Sequence, residues 1–247
     1  MNQDPRPRTA IVTGAGKRVG AAIASALVRR GWTVLAHVHD GDDAVPAGAN
    51  KVVADLRSSD CANLVFGAAA ALPPVQLLIN NAARFAFDAV GEFNGEEFDA
   101  HMAVNVRAPI LLTQAFARGR DVDGDALVIN LLDAKLSAPN PDFLSYTLSK
   151  QALAGLTELA ARALASRRIR VNGIAPALML RSAGQSEENF EVMHRNNPLG
   201  RGVEPADVVG ALRYLVEARS VTGQTLILDS GQRFLGLGRD VQFLDRA

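Results

Sequence analysis

Two side chains in SYTLSKQA are able to pass a proton to a bound molecule: Tyr146 and Lys150. Four residues apart on a helix, a phenol and an ammonium share one face. A cation beside a tyrosine favours the phenolate and draws its pKa below the ordinary value of about 10. A tyrosine so placed exchanges a proton with substrate near neutral pH. Alone the pair is a weak signal, because exposed helices carry Y-x-x-x-K by chance. A second candidate lies near the amino terminus. TGAGKRVG, residues 13–20, holds Gly14, Gly16 and Gly20 with Arg18 among them. A glycine turn between a strand and a helix aims backbone N–H groups and a helix N-terminus at a phosphate. The spacing G-x-G-x-x-x-G is one residue longer than the common dinucleotide fingerprint.

Both candidates need a scaffold, and the rest of the chain supplies its pattern. Short apolar runs at 9–13, 33–37, 51–54, 77–80, 126–131, 170–174 and 225–228 predict strands. Helical periodicity is clearest at 21–30, 96–117, 146–166 and 205–217. Continuous apolar strands alternating with helices predict a Rossmann-like α/β fold: a doubly wound parallel sheet of about seven strands, covered on both faces. There is no repeat and no composition break, so one domain over 1–247 is expected. Residues 1–8 are predicted as a flexible tail. Segment 179–199 leaves the carboxyl end of the sixth strand and is expected to lie over the cleft as a substrate lid. The tail 234–247 carries Phe234, Leu235, Leu237, Phe243 and Leu244. It is too apolar to hang free and is expected to pack on the domain or on a neighbouring subunit.

Composition narrows the function classes. Apolar residues make up 48 % of 247, enough for one sizeable core. The formal net charge is zero, which argues against nucleic acid or an anionic membrane as the main partner. Cys61 is the single cysteine, so there is no internal disulfide and no cysteine-rich metal site. The chain shows no signal-peptide stretch and no run long enough to span a bilayer, and a cytoplasmic protein is expected. Cys61 and Met179 read as packing residues. His101 and His194 lack neighbours that suggest a metal and read as surface or packing residues.

In this order and spacing the motifs resemble the short-chain dehydrogenases/reductases over nearly the whole chain. They are TGAGKRVG, Asp55-Leu56, NNAA at 80–83, Asn105 in VNVRAP, Tyr146 and Lys150, RVNGIAP at 170–176, and VTGQTLILDSG. The resemblance implies hydride transfer with a nicotinamide cofactor and a homotetramer. It makes Tyr146 the proton donor. Lys150 would lower the pKa of Tyr146 and hold the nicotinamide ribose. Asn105 would anchor a water relay behind Lys150. Thr13, Gly14, Gly16, Val19 and Gly20 would shape and line the phosphate turn. Asp55 and Leu56 would meet the adenine. Asn81, Ala82 and Ala83 would meet the adenosine side, and Ile174, Pro176 and Leu178 the nicotinamide.

Two positions depart from the common family pattern together. Asp133 stands where a serine is usual, thirteen residues before Tyr146, and Arg18 stands where a glycine is usual. This combination resembles the pteridine reductase and dihydromonapterin/dihydrofolate reductase branch. In that branch the aromatic position of NNAARF, Phe85, would stack on a pterin. Arg18 would touch both a cofactor phosphate and the pterin edge, since a guanidinium is a planar fork of donors. Asp133 would hold Tyr146 or feed it protons. His37-Val38-His39 resembles the branch's His-Tyr-His and is expected beside the nucleotide. Lys17 and Arg18 favour the 2′-phosphate of NADPH, whereas Asp40 is an acid of the kind that binds the free ribose of NAD. The expected cofactor is NADPH, with NADH as the alternative. Ala83 and Ala177 are further departures, from serine and glycine. Plainer readings stand beside these: Arg18 neutralising pyrophosphate or facing solvent, Phe85 in the core, Asp133 partnering a backbone group.

The sequence therefore points to a reductase of a C=N bond in a dihydropterin-type substrate, with Arg18, Phe85, Asp133 and Tyr146 at the substrate and no metal. The alternatives are a short-chain reductase of another carbonyl or alcohol, and a nucleotide-binding regulator without turnover.

Overall fold

Each apolar run becomes one strand of a single sheet, and the runs are apolar throughout because both faces are covered. The computed structural model describes residues 7–119 and 124–244. The strands are β1 (Thr9–Val12), β2 (Thr33–Val38), β3 (Asn50–Val53), β4 (Val75–Asn80), β5 (Ala126–Leu131), β6 (Ile169–Pro176) and β7 (Thr225–Leu228). They pair in parallel in the order β3-β2-β1-β4-β5-β6-β7. The helices are α1 (Arg18–Arg29), α2 (Cys61–Ala69), α3 (Gly95–Met102), α4 (Ala108–Arg118), α5 (Leu144–Leu164), α6 (Glu187–Arg195) and α7 (Pro205–Glu217).

Strand alternation builds two cores. Ala10, Val12, Leu77, Ile79, Leu127 and Ile129 face one side, where they pack with Ile23 and Leu27 of α1 and with Leu212 and Leu215 of α7. Ile11, Leu78 and Val128 face the other side, with Val65 of α2, Leu112 and Phe116 of α4, and Ala160 of α5. Phe116, 1 % exposed, contributes on the order of 2–3 kcal/mol by burial alone. The order turns back between β1 and β4, and their carboxyl ends open the crevice where α/β proteins of this kind bind ligands.

The expected helix over 96–117 is interrupted. α3 passes through a π-helical turn, Ala103–Arg107, before α4 begins. Pro109 explains the widening. It has no N–H to give, and its ring would clash with the carbonyl four residues back in a regular helix. The helix over Cys61–Ala69 is not among the clearest periodic segments, because beside its buried Cys61, Ala62, Val65 and Ala69 it also carries apolar Leu64, Phe66 and Ala68, which blur the pattern.

Of the tail assigned to 1–8, residues 1–6 lie outside the described residues. Arg8 lies 4.0 Å over the Trp32 ring. Residues 245–247 of the carboxyl tail 234–247 also lie outside; its end packs on its own domain, whereas Phe234, expected to pack, is 72 % exposed. Phe243 meets Phe87 at 5.3 Å and Phe143 at 5.8 Å. Asn189 of α6 donates to the Leu244 carbonyl at 2.8 Å. Among the described residues no helix is long and apolar enough to cross a membrane, and no group of three His, Cys, Asp or Glu is placed to hold a metal.

Candidate active site

The turn after β1 is built for close approach. Gly14 adopts φ +64°, open to glycine at no steric cost. A Cβ on Gly20 would sit 2.0 Å from the Gly14 carbonyl oxygen and 2.6 Å from the Asn81 amide nitrogen. Asn81 donates to the carbonyls of Thr13 at 2.8 Å and Gly14 at 3.1 Å. The Thr13 hydroxyl accepts the N–H groups of Asn81 and Ala82, both at 3.0 Å. Thr13 thus braces the turn from behind and does not line the cleft.

His37 is 1 % exposed and does a similar job. Its Nδ1 accepts from the Gly14 N–H at 3.2 Å and its Nε2 donates to the Ala54 carbonyl at 3.0 Å. That pair of roles requires the neutral Nε2–H tautomer, and burial lowers its pKa accordingly. Beyond it lie His39, Asp55, Leu56 and Arg57 on the cleft wall. Asp55 grips the Arg57 guanidinium at 3.0 and 2.8 Å, which holds its carboxyl below the ordinary range. Asp40 does not line the cleft; its carboxylate accepts from the Asp42 N–H at 3.1 Å.

The two groups of Y-x-x-x-K come together at the other end. The Tyr146 hydroxyl donates to Asp133 Oδ2 at 2.8 Å, and Asp133 Oδ1 accepts from the Lys135 N–H at 2.8 Å. Lys150 donates to the Leu131 carbonyl at 2.6 Å, with its Nζ 5.6 Å from the Tyr146 ring centre. The expected lowering of the tyrosine pKa is corrected by this geometry. Burial first, and then the Asp133 carboxylate, hold the phenol well above its usual 10.0. Burial also raises the Asp133 carboxyl against the pull of its hydrogen bonds and of Lys150, and lowers Lys150 to about 8. Tyr146 is therefore held as the protonated phenol, the form a proton donor needs.

Helix α5 presents Tyr146 through an unusual start. Phe143 before it has φ +55° and offers no cap of its own. Asp88, from the loop after β4, accepts the Ser145 N–H at 2.9 Å and the Ser145 hydroxyl, while its carbonyl accepts the Leu144 N–H at 3.1 Å. A carboxylate borrowed from a remote loop thus satisfies the helix start. Phe85, on the same loop and 43 % exposed, is not in the core. It stacks on Phe143 at 4.3 Å and meets Tyr146 edge-on at 4.7 Å.

Arg18 is exposed at the rim of the cleft, and its guanidinium makes no hydrogen bond to the Tyr146–Asp133 pair. It adopts φ +54°, the left-handed region where glycine is usual. Its guanidinium donates to the carbonyls of Arg181 at 3.0 Å and Leu180 at 3.3 Å, across the mouth in the 179–199 segment. Asn105 sits behind the cleft, accepting from the Arg84 N–H at 2.8 Å and donating to the Arg84 carbonyl at 3.0 Å and to Ser149 at 2.9 Å.

Ile174, expected beside the nicotinamide, is instead buried in the core at 0 % exposure, and the remaining expected residues share one cleft of about 920 Å³, at the upper end of small-molecule sites. Gly14, Gly16, Lys17, Val19, Gly20, Asn81, Ala82 and Ala83 line one end; Pro176 and Leu178 lie between; Phe85, Asp133, Tyr146 and Lys150 line the other. Met179, expected only to pack, lines it too, while Cys61 is buried as expected and His194 stacks on Phe190 at 4.8 Å. The sequence reading missed Arg57, Arg84, Lys135, Arg233, Arg239 and Asp240. Arg233 lies just before the carboxyl tail, from which Arg239 and Asp240 come. Its apolar residues signalled packing, but its anchor, Arg239 bonded to Asp142 at 2.8 Å, spans 97 residues and leaves no local pattern.

The comparisons with known proteins agree with this architecture. A family model described as "Enoyl-(Acyl carrier protein) reductase" matches residues 14–233. FolM alternative dihydrofolate reductase 1 from Brucella canis, solved with NADP, is 38 % identical with a TM-score of 0.86, covering 92 % of this chain and 94 % of its own. The Brucella suis FolM, also solved with NADP, is 38 % identical with a TM-score of 0.87 over 93 % and 96 %. Bovine (Bos taurus) L-xylulose reductase is 32 % identical over 91 % of this chain and 96 % of its own. With the sheet order, the glycine turn and the Tyr146–Lys150 pair, these matches place the chain in the short-chain dehydrogenase/reductase family of oxidoreductases.

Proposed function

We propose that the chain is an NADPH-dependent reductase of a C=N bond in a dihydropterin-type substrate. The observation that carries this reading is the Tyr146 hydroxyl paired with Asp133 at 2.8 Å, beside the half-exposed ring of Phe85. The 38 % identity to the two FolM proteins supports it. The glycine turn fits a dinucleotide, since glycine at position 20 lets the start of α1 close against the Gly14 carbonyl and so brings the helix N-terminus up to the turn. Lys17, Arg18, Arg57 and His39 are basic groups near that end; Asp40 is turned away into its own loop, while Asp43 lines the cleft beside them.

When bound, the nicotinamide supplies the hydride. The chain's own residues supply the rest. Phe85 offers a face to a planar ring. Tyr146 gives its hydroxyl proton to the substrate nitrogen as the carbon accepts the hydride, so the C=N bond becomes CH–NH. The resulting phenolate is stabilised by the Lys150 ammonium and regains its proton from solvent along Asp133, whose raised pKa lets it carry one. A homotetramer in the cytoplasm belongs to the same proposal and is checked by light scattering and fractionation.

The second reading is reduction of another carbonyl, supported by the 32 % identity to L-xylulose reductase. Asp133 would then stand in for a serine. The test is to follow NADPH and NADH oxidation with dihydrobiopterin, dihydromonapterin and dihydrofolate beside a panel of ketones. Oxidation of NADPH by dihydropterins alone upholds the first reading. Turnover of ketones alone upholds the second, and cofactor binding without turnover on any of them leaves a regulator.

A further inference from the structure

Phe85 is 43 % exposed, so packing alone does not hold it, yet its backbone is fixed from both sides. The peptide before it ends in the Arg84 carbonyl, which accepts from Asn105 at 3.0 Å. The peptide after it begins with the Ala86 N–H, which donates to His101 Nε2 at 3.2 Å. With both peptide planes tied, φ and ψ of Phe85 have no freedom, and the ring leaves the backbone in one direction. His101 is 0 % exposed and uses both ring nitrogens, since its Nδ1 donates to the Glu97 carbonyl at 2.7 Å. Glu97 in turn grips the Arg84 guanidinium, with 2.7 Å between Oε2 and Nε. Glu97, His101 and Asn105 recur at a spacing of four along α3 and the π turn, each on the same loop.

His101 meets the Tyr146 ring edge-on, 6.4 Å between centroids, but makes no hydrogen bond to it, and a buried imidazole is an expensive way to fill space. A leucine would fill it without needing partners. The geometry points to His101 as a positioning residue: its bond to the Ala86 N–H fixes Phe85 as the platform for a planar substrate. This rests on the dihydropterin reading above and adds to it the residue that sets how well the ring is received.

The test compares wild type with H101F, which keeps a ring and removes the acceptor, with H101L, and with H101Q, whose carbonyl oxygen restores one. In H101F the KM for the dihydropterin should rise about tenfold, with kcat within twofold and the NADPH dissociation constant, read by cofactor fluorescence, unchanged. H101Q should recover at least half of the loss. F85L should raise the same KM, and F85L combined with H101F should do no further harm, because both act on one platform. The Ala86 amide should exchange with solvent faster in H101F than in wild type. H101L carries the same expectations should H101F fail to fold. Equal changes in kcat and KM, a weakened NADPH complex, multiplicative effects in the double variant or unchanged Ala86 exchange would each overturn the proposal. Should wild type reduce ketones alone, the dihydropterin reading fails by itself. The brace is then judged on Ala86 exchange, where faster exchange in H101F supports it and unchanged exchange sinks it.

Discussion

The two ends of the cleft are made differently. At the end proposed for the nucleotide, Thr13 and Asn81 tie the turn to the loop after β4, and Gly14 and Gly20 let the backbone segments close on one another. At the substrate end, the wall consists of side chains drawn from distant segments: Phe85, Asp133, Tyr146, the 179–199 segment reached by Arg18, and the carboxyl tail tied by Arg239 to Asp142. The first arrangement tolerates almost no change of residue at its tightest points but asks little of the rest of the chain. The second tolerates exchange of its parts, which is the property a substrate-selecting wall needs.

Substitutions at each end should break this contrast in opposite ways. The largest effect is expected from Tyr146→Phe: kcat should fall about 10³-fold or more while NADPH binding, followed by fluorescence, stays intact. Loss of binding instead would mean that Tyr146 belongs to the nucleotide end. Asp133→Ser comes next. Turnover of dihydropterins should drop roughly 100-fold, and retained or improved turnover of ketones would favour the carbonyl reading. At the nucleotide end, Gly20→Ala should cost about 2–3 kcal/mol in denaturant unfolding and weaken NADPH, because the added carbon meets backbone that cannot yield.

A pH series sharpens the comparison through Lys150. Its folded pKa of about 8 lies below the ordinary 10.5, so between these values the unfolded chain holds more protons than the folded one. Stability attributable to Lys150 therefore rises with pH across that window, as the folded state sheds its buried charge first. Unfolding of wild type against Lys150→Met should show wild type gaining on the variant from about pH 8 to 10.5. No gain would mean that the ammonium is not desolvated. The smallest effect concerns Arg18. Arg18→Gly relieves the left-handed backbone that Arg18→Ala keeps, so the glycine variant should be the more stable by about 1 kcal/mol. Both lose the bonds to Leu180 and Arg181 and should share a raised substrate KM.

The scaffold was legible because it is periodic. Runs such as AIV at 10–12 and LLIN at 77–80 need no partner to be read as buried strands, and Tyr146 and Lys150 carry their relation in their spacing. What could not be read is what depends on partners remote in sequence. Asp88 meets Ser145 across 57 residues, and Asp142 meets Arg239 across 97. His101 looked like filler because its partner is a backbone N–H, which has no letter in the sequence. The direction of the Tyr146 pKa shift was misjudged for a related reason. Spacing showed the cation four residues on, but not the depth of burial or the carboxylate at 2.8 Å that outweigh it. Arg18 was recognised as out of place, yet its reach to the 179–199 segment depends on where that segment folds back.

The π turn at Ala103–Arg107 gives the chain slack in its register, because its wider turn holds one residue more than an α-helix would over the same rotation. Dropping one residue there would leave a plain α-helix with its two flanks still facing as before. A residue lost from the regular turns of α4 has no such slack and would rotate everything on its amino side by about 100° relative to the rest of that helix. Glu97 and His101 would swing off the loop together, and Phe85 would lose its seat. The regular turns beside the π turn, ordinary in composition, are where insertions and deletions should be least forgiven.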